Sequence, residues 1–189
     1  MNDSWGALEL ALAEFRPQVL SDSLLSHKAI EENLRSNNIS SNCVAFIQTL
    51  EPPQGSISVL LFKVPKTLSL LEDELCRIRK YLAPDVRVLG AGMTRDVHTS
   101  TLKICERILG KTSTSQAKKK ARLIFCDIDQ SIENQQSPYP TRYRLEATDW
   151  ILVNHANVFS RVRLDNASRL LMAHIKASSK NRIIADLCC

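Results

Sequence analysis

The fold is decided by residues 57–82, which read ISVLLFKVPKTLSLLEDELCRIRKYL. The first eight residues are mostly apolar and partly β-branched, which predicts a buried strand over 57–64. From residue 67 the apolar side chains recur at spacings of three and four, which predicts a helix with one buried stripe made of Leu68, Leu71, Leu75, Ile78 and Leu82. A buried strand that leads directly into such a helix is typical of α/β proteins.

The same alternation extends to both sides of this stretch. Before it we predict a helix at 7–15, a short strand at Val19-Leu20, a helix ending at Ser36 and a strand at 43–47; after it, a strand at 86–89 and a helix at 97–109. After Gly110 the pattern becomes that of a β-meander, with strands at 120–128, 142–146 and 150–153. A last helix at 165–177 and strand at 182–187 begin a new unit. We therefore expect an α/β domain with a mainly parallel sheet and an antiparallel edge.

Length and composition limit the class of protein. The chain has 189 residues, of which 44% are hydrophobic and 24% charged, as expected for one mid-sized folded domain or for one domain plus part of another. It has no apolar run of membrane-spanning length and no leader pattern at Met1, which predicts a cytoplasmic protein without membrane partners. The six cysteines are scattered, so we expect reduced thiols and no metal site.

The charge is concentrated in the middle of the chain. Residues 63–122 carry fourteen Lys or Arg against six Asp or Glu, a net +8, whereas residues 1–62 carry −4 and residues 123–189 carry +1. Such a local excess is consistent with a polyanionic partner and equally with a solvated basic surface.

Two basic stretches favour phosphate contact over a solvated surface. Lys63 and Lys66 follow the strand predicted at 57–64, at the edge where open α/β sheets bind ligands. The second stretch supplies Lys118, Lys119, Lys120 and Arg122. It enters a predicted strand, so its side chains point to opposite faces and cannot all face one ligand unless the stretch begins as a loop. Tyr81 is the only aromatic residue between 63 and 122, so base stacking is poorly supplied and phosphate contact is the more natural role.

The glycine motifs do not indicate a nucleotide site. In Gly110-Lys111-Thr112 the first glycine of a phosphate loop is replaced by Cys105, and the motif ends a helix instead of beginning one. Gly90-Ala91-Gly92 is half of a dinucleotide fingerprint, with Arg95 in place of the third glycine, and we interpret it as a tight turn. We find no self-sufficient active site in the sequence.

Four stretches resemble the large-subunit members of the bacterial family of ribosomal RNA guanine-N2 methyltransferases. They are 64–72 (VPKTLSLLE), 96–102 (DVHTSTL), 119–124 (KKARLI) and 154–161 (NHANVFSR). The resemblance runs through essentially the whole chain. It implies a class I, Rossmann-like fold in which a degenerate N-terminal domain assists RNA recognition and a second domain binds S-adenosylmethionine and methylates a guanine amine.

The resemblance also implies a division of the chain. Residues 1–153 correspond to the degenerate RNA-recognition domain without its first strand, and 154–189 to the linker and the start of the catalytic domain. In an intact enzyme Phe159, Ser160 and Asp186 would border the cofactor. We expect no cofactor to bind to this chain alone. The family has glycine at three positions where this chain has Arg163, Ala167 and Cys188.

These features give one main functional hypothesis and two alternatives. The stretch 63–66 lies where an active amino-methylase carries Asn-Pro-Pro-Phe, so we expect a noncatalytic half that binds large-subunit ribosomal RNA through its lysines. The alternatives are a binding or assembly module that needs a second chain with the catalytic domain, and an inactive remnant.

Overall fold

Eight strands and five helices are described in a computed structural model that covers residues 1–48, 50–175 and 185. In chain order they are α1 (Ala7–Ala11), β1 (Gln18–Leu20), α2 (Leu24–Ser36), β2 (Ala45–Ile47), β3 (Ile57–Lys63), α3 (Leu68–Ile78), β4 (Leu82–Met93), α4 (Thr99–Ile108), β5 (Thr112–Thr114), β6 (Ala121–Cys126), β7 (Thr141–Arg144), β8 (Ile151–Asn154) and α5 (Asn166–His174). The strand predicted at 182–187 lies outside the described residues. None of the helices in the described ranges has the length and apolar character of a membrane span.

The chain divides into two compact units, Met1–Tyr139 and Pro140–Cys189. The first contains a four-stranded sheet in the order β3-β4-β6-β5 and a parallel pair, β1-β2. The β3-β4 pair is parallel, and β6 runs antiparallel to both β4 and β5. The second unit contains the antiparallel pair β7-β8. The predicted α/β fold is thus confirmed, with a four-stranded sheet that is mixed and not mainly parallel, since two of its three strand pairs are antiparallel. The boundary after residue 153 stays a prediction.

The predicted meander was wrong in its pairing. Strand β6 pairs with β5, a short polar strand that the sequence did not predict, and in the described part of the chain β7 pairs with β8 alone. The loop between β6 and β7 contains Pro138 and Pro140, whose nitrogens cannot donate to a ladder. It therefore separates two hairpins instead of connecting neighbouring strands of one sheet.

One face of the four-stranded sheet is covered by α3 and α4. The core between them contains Leu60, Phe62, Leu71, Leu75, Ile108 and Ile124, none more than 4% exposed. Leu71, Leu75 and Ile78 of the predicted stripe lie in this core, and Leu68 is half-buried. The helix predicted at 67–82 is shorter than expected, because α3 ends at Ile78 and Leu82 is the first residue of β4.

Gly90-Ala91-Gly92 lies inside β4 and is not the tight turn predicted from the sequence. A Cβ atom built on Gly90 would come within 2.4 Å of Cζ of Phe62, and one on Gly92 within 2.9 Å of a methyl group of Val97. The glycines therefore make room for core side chains on the helix-covered face of the strand.

Candidate nucleic-acid interface

Three lysines occupy the tip of the β5-β6 hairpin. Lys118 and Ala121 exchange both backbone hydrogen bonds, at 2.9 and 3.0 Å, and so close a two-residue turn. The turn residues Lys119 and Lys120 have φ angles of 51° and 62°, the left-handed region that two-residue hairpin turns require. Glycine or asparagine is the usual choice there, so lysine at both positions stores backbone strain. Such strain is a recognised mark of functional sites.

Lys63 and Lys66 lie at the same edge of the sheet as this turn. Lys63 is the last residue of β3 and is aligned with Ala91 of β4, which is aligned with Leu123 of β6. Arg122 is aligned with Gly92, one step nearer the hairpin tip. The carboxyl ends of β3 and β4 therefore meet the start of β6 at one edge, which we call the basic edge: Lys63, Lys66, Lys118, Lys119, Lys120 and Arg122.

The side chains of the basic edge are available to a ligand. All six residues are exposed, and within the described ranges none of them forms an ion pair with an acidic side chain. Lys63 is aligned with Ala91 and Arg122 with the next residue of β4, Gly92. Because side chains alternate between the two faces of a sheet from one residue to the next, Lys63 and Arg122 point to opposite faces. The edge therefore presents positive charge on both faces of the sheet.

Arg95 also belongs to this region, although sequence reasoning assigned it no role. It lies in the turn after β4, and its side chain is 83% exposed. Its Nε is 3.8 Å from a carboxylate oxygen of Asp96, a loose surface pair. The sequence feature that could have identified Arg95 was its position directly after a strand, next to the edge of the sheet where a ligand was expected.

Two of the three residues assigned to the cofactor, Phe159 and Ser160, have described positions. Phe159 is 85% exposed, and the Ser160 hydroxyl donates to the carbonyl oxygen of Arg163 at 2.8 Å. Asp186 lies outside the described residues. The assignment of these three residues to S-adenosylmethionine in an intact enzyme therefore stays a prediction, and we derive no chemical step through the cofactor.

The cysteines of the first unit are free thiols, and three of them, Cys76, Cys105 and Cys126, are buried. A hydrogen bond with Cys126, together with burial, raises the pKa of Cys105 well above its usual range. Burial also raises the pKa of Cys76. Among the residues with described positions no cluster of His, Cys, Asp or Glu could hold a metal ion. Cys76, Cys105 and Cys126 are therefore core side chains.

A mixed sheet with helices packed against it is an architecture shared by many α/β proteins, and comparison with known proteins identifies the family. The family model described as the RLMG N-terminal domain matches residues 1–130, and that of the methyltransferase small domain matches 149–189. Because the first match covers more than half of the sequence, the chain belongs to the RLMG N-terminal domain family.

Two solved structures illustrate the similarity. One is the 16S rRNA N2 G1207 methyltransferase RsmC of T. thermophilus, in complex with AdoMet and guanosine, with 16% identity, a TM-score of 0.61 and 82% of this chain covered. The chain spans 41% of that protein's length. The other is a ribosomal protein L11 methylase from Lactobacillus delbrueckii subsp. bulgaricus, with 17% identity, 60% of this chain and 57% of that one covered, and a TM-score of 0.45. The likeness to the first shows the methyltransferase fold.

Proposed function

We propose that this chain is the noncatalytic, RNA-binding part of a methyltransferase that uses S-adenosylmethionine to modify a guanine amine of large-subunit ribosomal RNA. The observation that carries the proposal is the basic edge, where six exposed cationic side chains lie at one edge of the sheet and, among the described residues, none forms an ion pair with a carboxylate. The family membership and the rRNA methyltransferase with the similar fold support it.

The chemistry of the basic edge suits phosphates better than bases. Lysine is a compact, fully charged donor with no acceptor, and it binds phosphate as a point charge. Tyr81, the one aromatic residue between 63 and 122, lies immediately before β4, at the end of that strand opposite the edge. We therefore assign the edge to positioning folded RNA through its backbone, and not to reading its sequence.

The side chains of the stretch 63–66 argue against methyl transfer in this unit. An amine-methylating site must accept hydrogen bonds from the amine, and the side chains of Lys63 and Lys66 can only donate. Methyl transfer would thus depend on a complementing cofactor-binding domain, for which Phe159, Ser160 and Asp186 stay predicted contacts.

The binding proposal is tested with a triple variant, Lys118→Gln, Lys119→Gln and Lys120→Gln. Binding of a large-subunit rRNA transcript is titrated at several salt concentrations. If the three lysines contact phosphates, the variant binds more weakly, and the slope of log K against log salt becomes shallower by about two.

The matched control replaces Lys80, Lys103 and Lys111 with glutamine, which removes the same charge from exposed positions elsewhere. Lys80 precedes β4, Lys103 lies on α4, and the Lys111 carbonyl is bonded to Asp127 beyond the opposite end of β6. If both triple variants change binding equally, the effect is one of net charge and the assignment to the basic edge is wrong.

The noncatalytic assignment has a separate test. The purified chain is incubated with labelled S-adenosylmethionine and unmodified ribosomal RNA, and incorporation of methyl groups is measured. We expect no incorporation above that of heat-denatured protein. Methylation of a guanine amine would contradict this part of the proposal without affecting the binding result.

A further inference from the structure

Trp5 presents an aromatic ring to solvent from a backbone that is bonded on both sides. The residue is 70% exposed, although tryptophan carries one of the largest apolar surfaces of any side chain. Its N–H donates to Oδ1 of Asp3 at 3.4 Å, and its carbonyl oxygen accepts from Nδ2 of Asn33 on α2. The fixed backbone therefore holds the ring out into solvent.

Two further contacts fix the loop that carries Trp5. Asp3 is 8% exposed, and its second carboxylate oxygen accepts from the Leu8 N–H at 3.1 Å, in the first turn of α1. Gly6 has a φ angle of 81° and lies so close to α2 that a Cβ atom on it would come within 3.0 Å of Cα of Ile30. A planar ligand that packs against Trp5 therefore orders less of the chain than it would on a free loop.

This loop leaves the sheet at the basic edge. The Met1 amino group donates to the Leu61 carbonyl oxygen at 2.8 Å, and the Met1 carbonyl accepts from the Lys63 N–H at 3.0 Å, which are the two bonds of a parallel pairing with β3. The chain therefore passes Met1 in the direction of β3 and continues beyond the edge toward Trp5. Residues that preceded Met1 would run beside β3 toward Ile57, away from Trp5.

The Trp5 ring is within reach of RNA that is bound at Lys63. Trp5 is four residues from Met1, so their Cα atoms are at most about 14 Å apart. Asp3, between them in the chain, interacts electrostatically with Lys63, and both of its carboxylate oxygens accept backbone N–H groups of the loop. A single strand whose phosphate contacts Lys63 can thus place a base on the ring within a few nucleotides.

We propose that Trp5 is a base-stacking residue for an unpaired nucleotide of RNA whose phosphates are held at the basic edge. Every base has a flat π-face, so stacking on tryptophan adds affinity without reading the sequence. This inference rests on the RNA-binding function proposed above, and it adds to that function the kind of segment that is selected, a single-stranded one.

The test uses the emission of Trp5 in the full chain. The sequence has two tryptophans, so Trp150→Phe leaves Trp5 as the only one. This variant is titrated with a short single-stranded RNA of mixed sequence and, separately, with the duplex that this RNA forms with its complement. The single strand should quench Trp5 emission. The duplex should not quench it, because its bases are stacked on each other.

Substitution of Trp5 tests whether the ring contributes to affinity. Trp5→Leu should weaken binding of the single strand by about fivefold or more. Binding of the duplex should stay unchanged, as should the slope of log K against log salt for both RNAs, because no phosphate contact is lost. Trp5→Phe keeps an aromatic ring and should retain most of the affinity for the single strand.

The matched control is Phe15→Leu. Phe15 is 72% exposed and precedes β1, so the variant removes an exposed aromatic ring from another part of the first unit. It should leave the binding of both RNAs unchanged. Single abasic substitutions along the RNA keep every phosphate, and at one or two positions they should abolish the quenching of Trp5.

The outcomes separate this inference from the proposed function. If the chain binds single-stranded RNA through the lysines of the basic edge, but Trp5 emission and the affinity of Trp5→Leu are unchanged, the stacking role is wrong and the proposed function stands. Equal weakening by Phe15→Leu, or equal quenching by the duplex, would also overturn the stacking role. If neither RNA binds to the unmodified chain, the proposed function fails and this inference fails with it.

Discussion

The backbone N–H of Thr94 donates to the carbonyl oxygen of Lys120 at 2.8 Å. This bond joins the turn after β4 to the second residue of the hairpin turn, next to the pairing of Met93 with Ala121. The lysine-bearing turn is therefore held against the sheet, and less conformational entropy is lost when it binds than for a free loop.

The backbone strain at this turn predicts that glycine substitutions there increase the stability of the chain and weaken its binding to RNA. Replacing Lys119 or Lys120 with glycine, which tolerates positive φ, should raise the free energy of unfolding by about 0.5–1 kcal/mol per position. The same substitutions should weaken RNA binding and its salt dependence, because each removes one cation. Urea denaturation and RNA titration measure the two effects.

Lys118→Gly is the matched control, because Lys118 is not among the residues with positive φ. Lys118→Gly should lower the free energy of unfolding. It should weaken RNA binding about as much as glycine at Lys119 or Lys120 does. If all three glycine variants destabilise the chain equally, the turn is not strained as described.

Gly90 is predicted to be intolerant of even one methyl group. Gly90→Ala places a Cβ against the ring of Phe62, whose atoms Cζ, Cε2 and Cε1 would lie at 2.4 to 2.8 Å, so we expect a loss of about 1–3 kcal/mol. In a Phe62→Leu background the alanine should cost much less, because the ring is gone. Thermal unfolding of the four chains of this double-mutant cycle gives the coupling energy, and additive effects would show that some other contact restricts the site.

The sequence predicted the elements whose signal is local and missed those that depend on distant pairing. The stripe of α3 and the apolar run of β3 were visible in a few consecutive residues. Strand β5 consists of Thr112, Ser113 and Thr114 and is a strand only because β6 lies beside it. The six basic residues were predicted singly, but their meeting at one edge depends on the register of β3, β4 and β6.

The environment of the Arg79 side chain also depends on distant segments and could not be predicted from the local sequence. The helical periodicity placed it off the buried stripe, together with Asp73, yet each is only 4% exposed. Its Nε donates to the Ile108 carbonyl oxygen at 3.1 Å and its Nη2 to the Asp129 carbonyl oxygen at 2.7 Å. The end of α4 and the segment after β6 create its environment, and neither adjoins it in sequence.

Arg79 is therefore predicted to hold these two segments together. Arg79→Met keeps the apolar volume but leaves two carbonyl groups without their donor, and should lower the free energy of unfolding by about 2–4 kcal/mol. Arg87→Met on the exposed face of β4 is the control and should change stability by less than about 0.5 kcal/mol. Chemical denaturation compares the two, and a similar small effect for both would contradict a structural role of Arg79.

Glu74 predicts a pH dependence with a definite sign. Burial raises the pKa of its carboxyl from 4.5 to about 7, partly opposed by a hydrogen bond from Nδ2 of Asn2 at 2.7 Å and by the Met1 ammonium. A carboxyl with a higher pKa in the folded state binds its proton more tightly there than in the unfolded chain. Its contribution to stability is complete below pH 4.5, falls as the pH rises to about 7, and is constant above that.

The Glu74→Gln variant should lose this slope. Between pH 5 and 7 the free energy of unfolding of the unmodified chain should fall relative to that of the variant, by on the order of 3 kcal/mol over the whole transition. Glu9, whose pKa burial also raises to about 7, contributes a slope of the same sign to both proteins and cancels in the difference. Glu133→Gln, at an exposed position, should follow the unmodified chain. Urea denaturation at half-unit pH intervals checks the prediction, and parallel curves for Glu74→Gln and the unmodified chain would show that Glu74 is ionised in the folded state at pH 5.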